Sequence, residues 1–176
     1  MPTAATHDLD HYLQAYDAYL EAFIDTFSAF AKTDYNAPVA PGKWSPGQMV
    51  AHLLKSEQGT VRLLNGPAEP APDDRTADAK CAAIEANFRV TTVAFTAPRG
   101  LSPEEGARYA PQAQLDEFVD VRADLRSAVA FAPDPGALVT SWAHPAFGTL
   151  TLTEWLYFTA IHGERHRLQV EAARRA

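Results

Sequence analysis

Leu9, Leu13, Tyr16, Leu20, Phe23, Phe27 and Phe30 follow one another in alternating steps of four and three, the seam of a helix packed in a bundle. Tyr12, Tyr19 and Ile24 widen the seam, which predicts a helix over residues 8–32. Residues 36–43, with Pro38 and Pro41, read as a connection. Trp44-Ser45-Pro46-Gly47-Gln48 then announces a second helix: Ser45 is the N-cap, Pro46 takes the first helical position and Gln48 completes a capping box. That helix reaches about residue 65, where Gly66-Pro67 stops it. A proline-rich loop at 68–74 leads to a short helix over 76–87 with a weak apolar face. The β-branched run 89–96 suits a helix or an extended segment. Pro98, Gly100, Pro103 and Pro111 mark a long irregular crossover, of the kind that often borders functional sites. A third long helix over 112–131 turns Leu115, Phe118, Val119, Leu125 and Val129 inwards, with Arg122 interrupting the stripe. After the breaker Pro133-Asp134-Pro135-Gly136, residues 141–148 lead straight into a last helix over 149–173. A second capping box opens it, Thr151 with Glu154, and Arg165, Arg167, Arg174 and Arg175 crowd its negative end. The expectation is an all-α chain: one domain over 1–176, a four-helix bundle with a long crossover connection between helices 2 and 3.

Composition narrows the function classes. The 176 residues are 47% hydrophobic and 21% charged, as in ordinary globular chains, and long enough for a real core. A net charge of −7 argues against a nucleic-acid partner, because phosphate binding needs a basic footprint. No apolar run approaches the roughly 20 residues that span a bilayer, so no membrane partner is expected. The first twelve residues lack an apolar signal core and Cys81 is the lone cysteine, which makes a reducing cytoplasm the default.

The candidate chemistry lies in histidines. His162 and His166 are four apart and share a helix face, so both imidazoles can reach one metal ion. Gln169 follows on that face and can hydrogen-bond a ligand or a bound water. Glu164 sits about 200° round the helix from His162, which excludes a zincin. A third ligand is available from His52 in the second turn of helix 2. Ser56 and Gly59 on the same face leave space beside it, while the plainer alternative is a core histidine bonded to a neighbour. His7 and His11 form a rival pair, off the apolar seam and near a chain end. Three neutral imidazoles with open positions suit a catalytic rather than a structural ion, and favour Zn, Ni, Fe or Cu over Mg or Ca.

Three blocks together resemble the DinB superfamily, which includes the YfiT-like metal-dependent hydrolases: Trp44-Ser45-Pro46-Gly47-Gln48-Met49-Val50-Ala51-His52-Leu53, His144-Pro145-Ala146-Phe147-Gly148-Thr149-Leu150-Thr151, and His162-Gly163-Glu164-Arg165-His166-Arg167-Leu168-Gln169. The resemblance implies an up-down-down-up bundle, frequent homodimers, and a divalent transition metal on His52, His162 and His166. Nickel or zinc is expected there first, iron or manganese after them. It also implies thiol-dependent chemistry of the kind known in the family, bacillithiol transfer and mycothiol-dependent maleylpyruvate isomerisation.

The expected function is therefore activation of a low-molecular-weight thiol or water for transfer to a small electrophilic substrate. A metal-dependent hydrolase is one alternative, and a non-catalytic metal- or ligand-binding bundle is another. Ser56, Gln169, Arg122 and His144 are the candidates to line the site. Arg122 either snorkels at the bundle edge or anchors an anionic group; His144 either carries a proton or shapes its loop. No carboxylate is placed as a general base, Glu57 standing one residue past the face of Ser56.

Overall fold

A computed structural model describes residues 9–31, 33–71, 77–89, 96–130 and 140–175. The elements run α1 Leu9–Ala31, α2 Pro46–Leu64, β1 Glu69–Pro70, α3 Ala77–Ile84, α4 Pro111–Ala130, β2 Thr140–His144, β3 Gly148–Leu150 and α5 Leu152–Arg174. A π turn, Glu85–Arg89, prolongs α3, and a 3-10 turn covers Arg99–Leu101. The protein is mostly helical, as the apolar periodicity predicts. The capping boxes act locally, through both side chains at α2 and through Glu154 at α5. Ser45 Oγ accepts from the Gln48 N–H at 3.2 Å and Gln48 Oε1 from the Ser45 N–H at 3.0 Å. At α5, Glu154 Oε2 accepts from the Thr151 N–H at 2.8 Å.

The fold is not purely α, and the starts of α4 and α5 differ from the sequence expectation. β1, β2 and β3 form a small antiparallel sheet in that order, pairing Trp142 with Leu150 and Ser141 with Glu69. The chain before α5 reverses at His144–Gly148, where Gly148 adopts φ +72°, the left-handed conformation that suits glycine. Residues 148–150 are thereby paired with β2, so α5 starts at Leu152 instead of at 149. Pro70 is tolerated because its strand lies at the sheet edge. Pro111 begins α4 at the first helical position, where its missing N–H costs nothing. Of the ambiguous run 89–96, residues 90–95 lie outside the described residues.

Helix α5 holds the other elements together. It packs against each of the other four helices, while α1 and α2 both also pack on α4. Every residue from 153 to 166 is buried, so the helix has no solvated face over four turns. Its neighbours supply the apolar surround. Phe23 stacks on Phe27 with ring centres 4.1 Å apart and meets Phe118 at 4.5 Å, while Leu13, Tyr16, Leu125, Val129, Leu156 and Ala160 form a second cluster. A third contains Cys81, whose thiol burial pushes up to about 12.

One ion pair sits in this apolar interior. Arg122 is 1% exposed and Glu57 0%, and they meet twice, Nε–Oε2 and Nη2–Oε1, both at 2.6 Å. Nη2 also donates to the Thr159 carbonyl of α5 at 2.8 Å. The Tyr16 hydroxyl of α1 donates to the Arg122 carbonyl at 3.1 Å, and the guanidinium lies 4.8 Å from the Tyr16 ring. Arg122 therefore neither snorkels at an edge nor waits for a substrate anion. Its charge is neutralised by the one carboxylate that helix 2 places opposite it. Gly163 completes the arrangement: a Cβ there would come within 2.7 Å of Arg122 Nη2.

Removing one member of a buried pair strands the other. Glu57→Leu is expected to cost about 3–5 kcal/mol, whereas Glu57→Leu with Arg122→Met is expected to recover most of that loss. Equilibrium urea denaturation of both variants decides it; a double variant no better than the single one contradicts this account.

Candidate metal centre

His52 is carried on the second turn of α2, and His162 and His166 stand one turn apart on α5. The two helices pack directly on each other. As a result the three imidazoles converge, each offering a nitrogen within 4.8 Å of the others. His52 Nε2 faces His162 Nε2 at 3.1 Å. Two nitrogens sharing a tetrahedral ion at about 2.0–2.1 Å are roughly 3.3 Å apart, so this spacing already matches a shared ion.

Protonation and hydrogen bonding agree with that role. His52 Nδ1 lies 2.9 Å from the Leu101 carbonyl. A carbonyl only accepts, so Nδ1 carries the hydrogen and Nε2 presents its lone pair to the cluster. The Nδ1 atoms of His162 and His166 are buried with no hydrogen-bond partner among the described residues. Desolvation keeps all three rings neutral. It lowers His52, against the Leu101 carbonyl, which raises it. It holds His162 well below the ordinary range, helped by His166 and His52. It takes His166 down to about 3, with His52 and Arg165 adding to the effect and Gln169 opposing it. Three neutral, buried imidazoles, each with a nitrogen turned to the cluster, are a donor set that can hold a divalent metal ion.

Aromatic rings wall the cluster. The Trp44 ring lies 5.1 Å from His52 and 6.3 Å from His166, while Phe88 and Phe158 stand 5.2 and 5.5 Å from His162. Arg165 is buried behind Phe88, donating to its carbonyl at 2.8 Å with its guanidinium 5.3 Å from the ring. A hollow of about 340 Å³ lined by Asp34, Tyr35, Asn36 and Arg108 shares no residue with the cluster.

The remaining candidates separate. Gln169, half-buried, stands beside His166 as its helical spacing predicts and opposes the lowering of that ring's pKa. Ser56 stays outside the three-imidazole group, half-buried, its carbonyl accepting from Thr60 Oγ1 at 3.1 Å. Arg122 is committed to Glu57. His144 shapes its loop: Nδ1 accepts from the N–H groups of Ala146 and Phe147 at 3.1 and 3.2 Å, and Lys80 donates to the Phe147 carbonyl. Of the rival pair, His11 is exposed and His7 lies outside the described residues. Sequence reasoning missed the Leu101 carbonyl, Trp44, Phe88 and Arg165 as neighbours of the site. Gly163 gave a separate signal, an interior helical glycine often marking a close approach, and here it marks that of Arg122.

A profile of the DinB superfamily matches residues 12–170. No curated protein and no solved structure matches the chain.

His144 should contribute an acid-sensitive increment of stability. Burial, with Lys80 adding to it, lowers its pKa to about 4, against about 6.5 when unfolded. Only the neutral ring accepts the two turn N–H groups. The native state thus binds fewer protons, and the increment is complete above the unfolded pKa and fades as pH falls from about 6.5 towards 4. Asn at 144 still accepts but does not titrate. The stability advantage of wild type over His144→Asn is expected to shrink between about pH 7.5 and 4.5; thermal melts across that range giving a constant difference would refute it.

Proposed function

The chain belongs to the DinB superfamily, and on that footing we propose that His52, His162 and His166 bind a divalent transition metal, nickel or zinc in first place, within an up-down-down-up bundle of α1, α2, α4 and α5. The centre serves to activate a low-molecular-weight thiol for transfer to a small electrophilic substrate. The observation that carries this reading is the meeting of three imidazoles from two helices within 4.8 Å. A divalent ion there supplies Lewis acidity, which makes a thiol or water nucleophilic near neutral pH.

The chain's own residues favour the thiol over water. The carboxylates nearest in sequence to the ligands are engaged elsewhere: Glu57 with Arg122, and Glu164 with Arg167 at 2.6 and 2.9 Å. Neither is placed as a general base. A thiol, with a pKa of about 8.5, needs far less help to ionise than water. His52 is oriented by Leu101, Gln169 steadies His166, and Trp44, Phe88 and Phe158 keep bulk water from the rings. A second reading, a binding bundle without turnover, draws support from the burial of the three imidazoles at 4%, 6% and 7% exposure.

Elemental analysis of untagged protein tests the centre. Wild type is expected to carry about one transition metal per chain and His52→Ala much less; equal content in both removes His52 from the site. Cobalt-loaded protein then separates the two readings. A thiolate-to-cobalt charge-transfer band on adding a small thiol supports thiol activation, and its absence favours the binding bundle or the hydrolase.

A further inference from the structure

His52 and Lys55 are three apart on α2 and project to one side of the helix. Each meets a consecutive carbonyl of the crossover. His52 Nδ1 is 2.9 Å from Leu101 O, and Lys55 Nζ donates to Ser102 O at 3.0 Å. The 3-10 turn Arg99–Leu101 is thereby held on α2, with Leu101 N–H donating to the Pro98 carbonyl at 2.8 Å. The far end of the segment is secured differently. Asn36 Nδ2 donates to Tyr109 O at 3.0 Å and Asn36 Oδ1 accepts from the Tyr109 N–H at 2.8 Å. The Tyr109 and Tyr35 rings press on Gly47, where a Cβ would lie 3.0 Å from each. Between these anchors Glu104, Glu105, Gly106 and Arg108 are exposed, and the turn is closed by Ala107 N–H on the Glu104 carbonyl at 3.3 Å.

The two anchors are unequal. The far one belongs to the frame, whereas the near one is made by a candidate ligand and the lysine beside it. We propose that Lys55 is a positioning residue for the metal centre: by holding Ser102 it keeps the Leu101 carbonyl on His52 Nδ1, so that seating of the strap 101–109 and metal binding reinforce each other. This rests on the metal-binding reading above.

The physical link is the His52 ring. While Leu101 accepts from Nδ1–H, the ring has one tautomer and one orientation, with Nε2 towards His162. Without that carbonyl the ring can rotate and present either nitrogen. An ion on Nε2 withdraws density from the ring and makes Nδ1–H a better donor, which tightens the Leu101 contact. Coupling of this kind is reciprocal: whatever the latch adds to metal affinity, the metal adds to the latch.

Zinc affinity, read by competition with a chromophoric chelator, and hydrogen exchange across 102–107 test the proposal on the full chain. Zinc is expected to slow exchange in that segment of the wild type. Lys55→Met is expected to weaken zinc binding about tenfold and to lose most of the zinc-induced protection, with little change in the melting temperature of the metal-free protein. Lys55→Arg, which retains a cationic donor, should restore affinity. A wild type that takes up zinc without any change in the segment's exchange overturns the latch and leaves the metal reading standing, as does unaltered affinity in Lys55→Met. A wild type that takes up neither zinc nor nickel overturns both.

Discussion

The Glu57–Arg122 contact constrains everything around it, because two full charges have been taken out of water at the point where four helices meet. Such a pair is tolerable only at close range and with the remaining donors satisfied. Here Thr159 of α5 takes one guanidinium hydrogen, while Tyr16 and Phe118 cover the guanidinium with their rings. The geometry has little slack. Sliding α2 or α5 by a fraction of a turn would part the charges or drive the backbone at Gly163 into the guanidinium. Glu57 lies little more than a turn beyond His52, and Gly163 directly follows His162. The register that satisfies the ion pair is therefore also the register that brings the imidazoles together.

Much of this was legible in the chain, and the legible parts share a cause. The Ser45 box, the proline at 46 and the α1 seam are local or periodic signals, and local chemistry decides them. His162 and His166 were readable for the same reason, being four apart on one helix. His52 needed more: its place on a facing helix made it available and the family resemblance tied it to α5, since no spacing rule links residues so distant in sequence. The misreadings fall where partners are distant or are backbone atoms. Arg122 looked like an interruption of an apolar stripe because its carboxylate lies on another helix. Thr140–His144 gave a weak strand signal, and its pairing with Gly148–Leu150 depends on a reversal at 145–147. The Leu101 carbonyl carries no side-chain identity, so no sequence pattern could have assigned it to His52.

Helix α5 shows how burial and polarity were reconciled. A helix without a solvated face is normally apolar throughout, yet this one carries Thr153, Glu154, Thr159, His162, Glu164, Arg165 and His166 inside. Glu164 pairs with Arg167 and lies 3.5 Å from Arg89, Arg165 donates to a carbonyl, and Thr159 Oγ1 returns to the Leu156 carbonyl at 2.8 Å. The Nδ1 atoms of His162 and His166 have no such partner among the described residues.

Cys81 bears on the proposed chemistry from a different direction. It is 3% exposed, and Glu154, Asp78 and Glu85 add to the burial that keeps it a thiol rather than a thiolate. A protein that brings small sulfur nucleophiles to an electrophilic partner risks trapping them as mixed disulfides on its own surface. With its sole sulfhydryl sealed under α1 and α5, this chain is inert towards such exchange, and it should tolerate oxidising swings that would poison a more reactive scaffold.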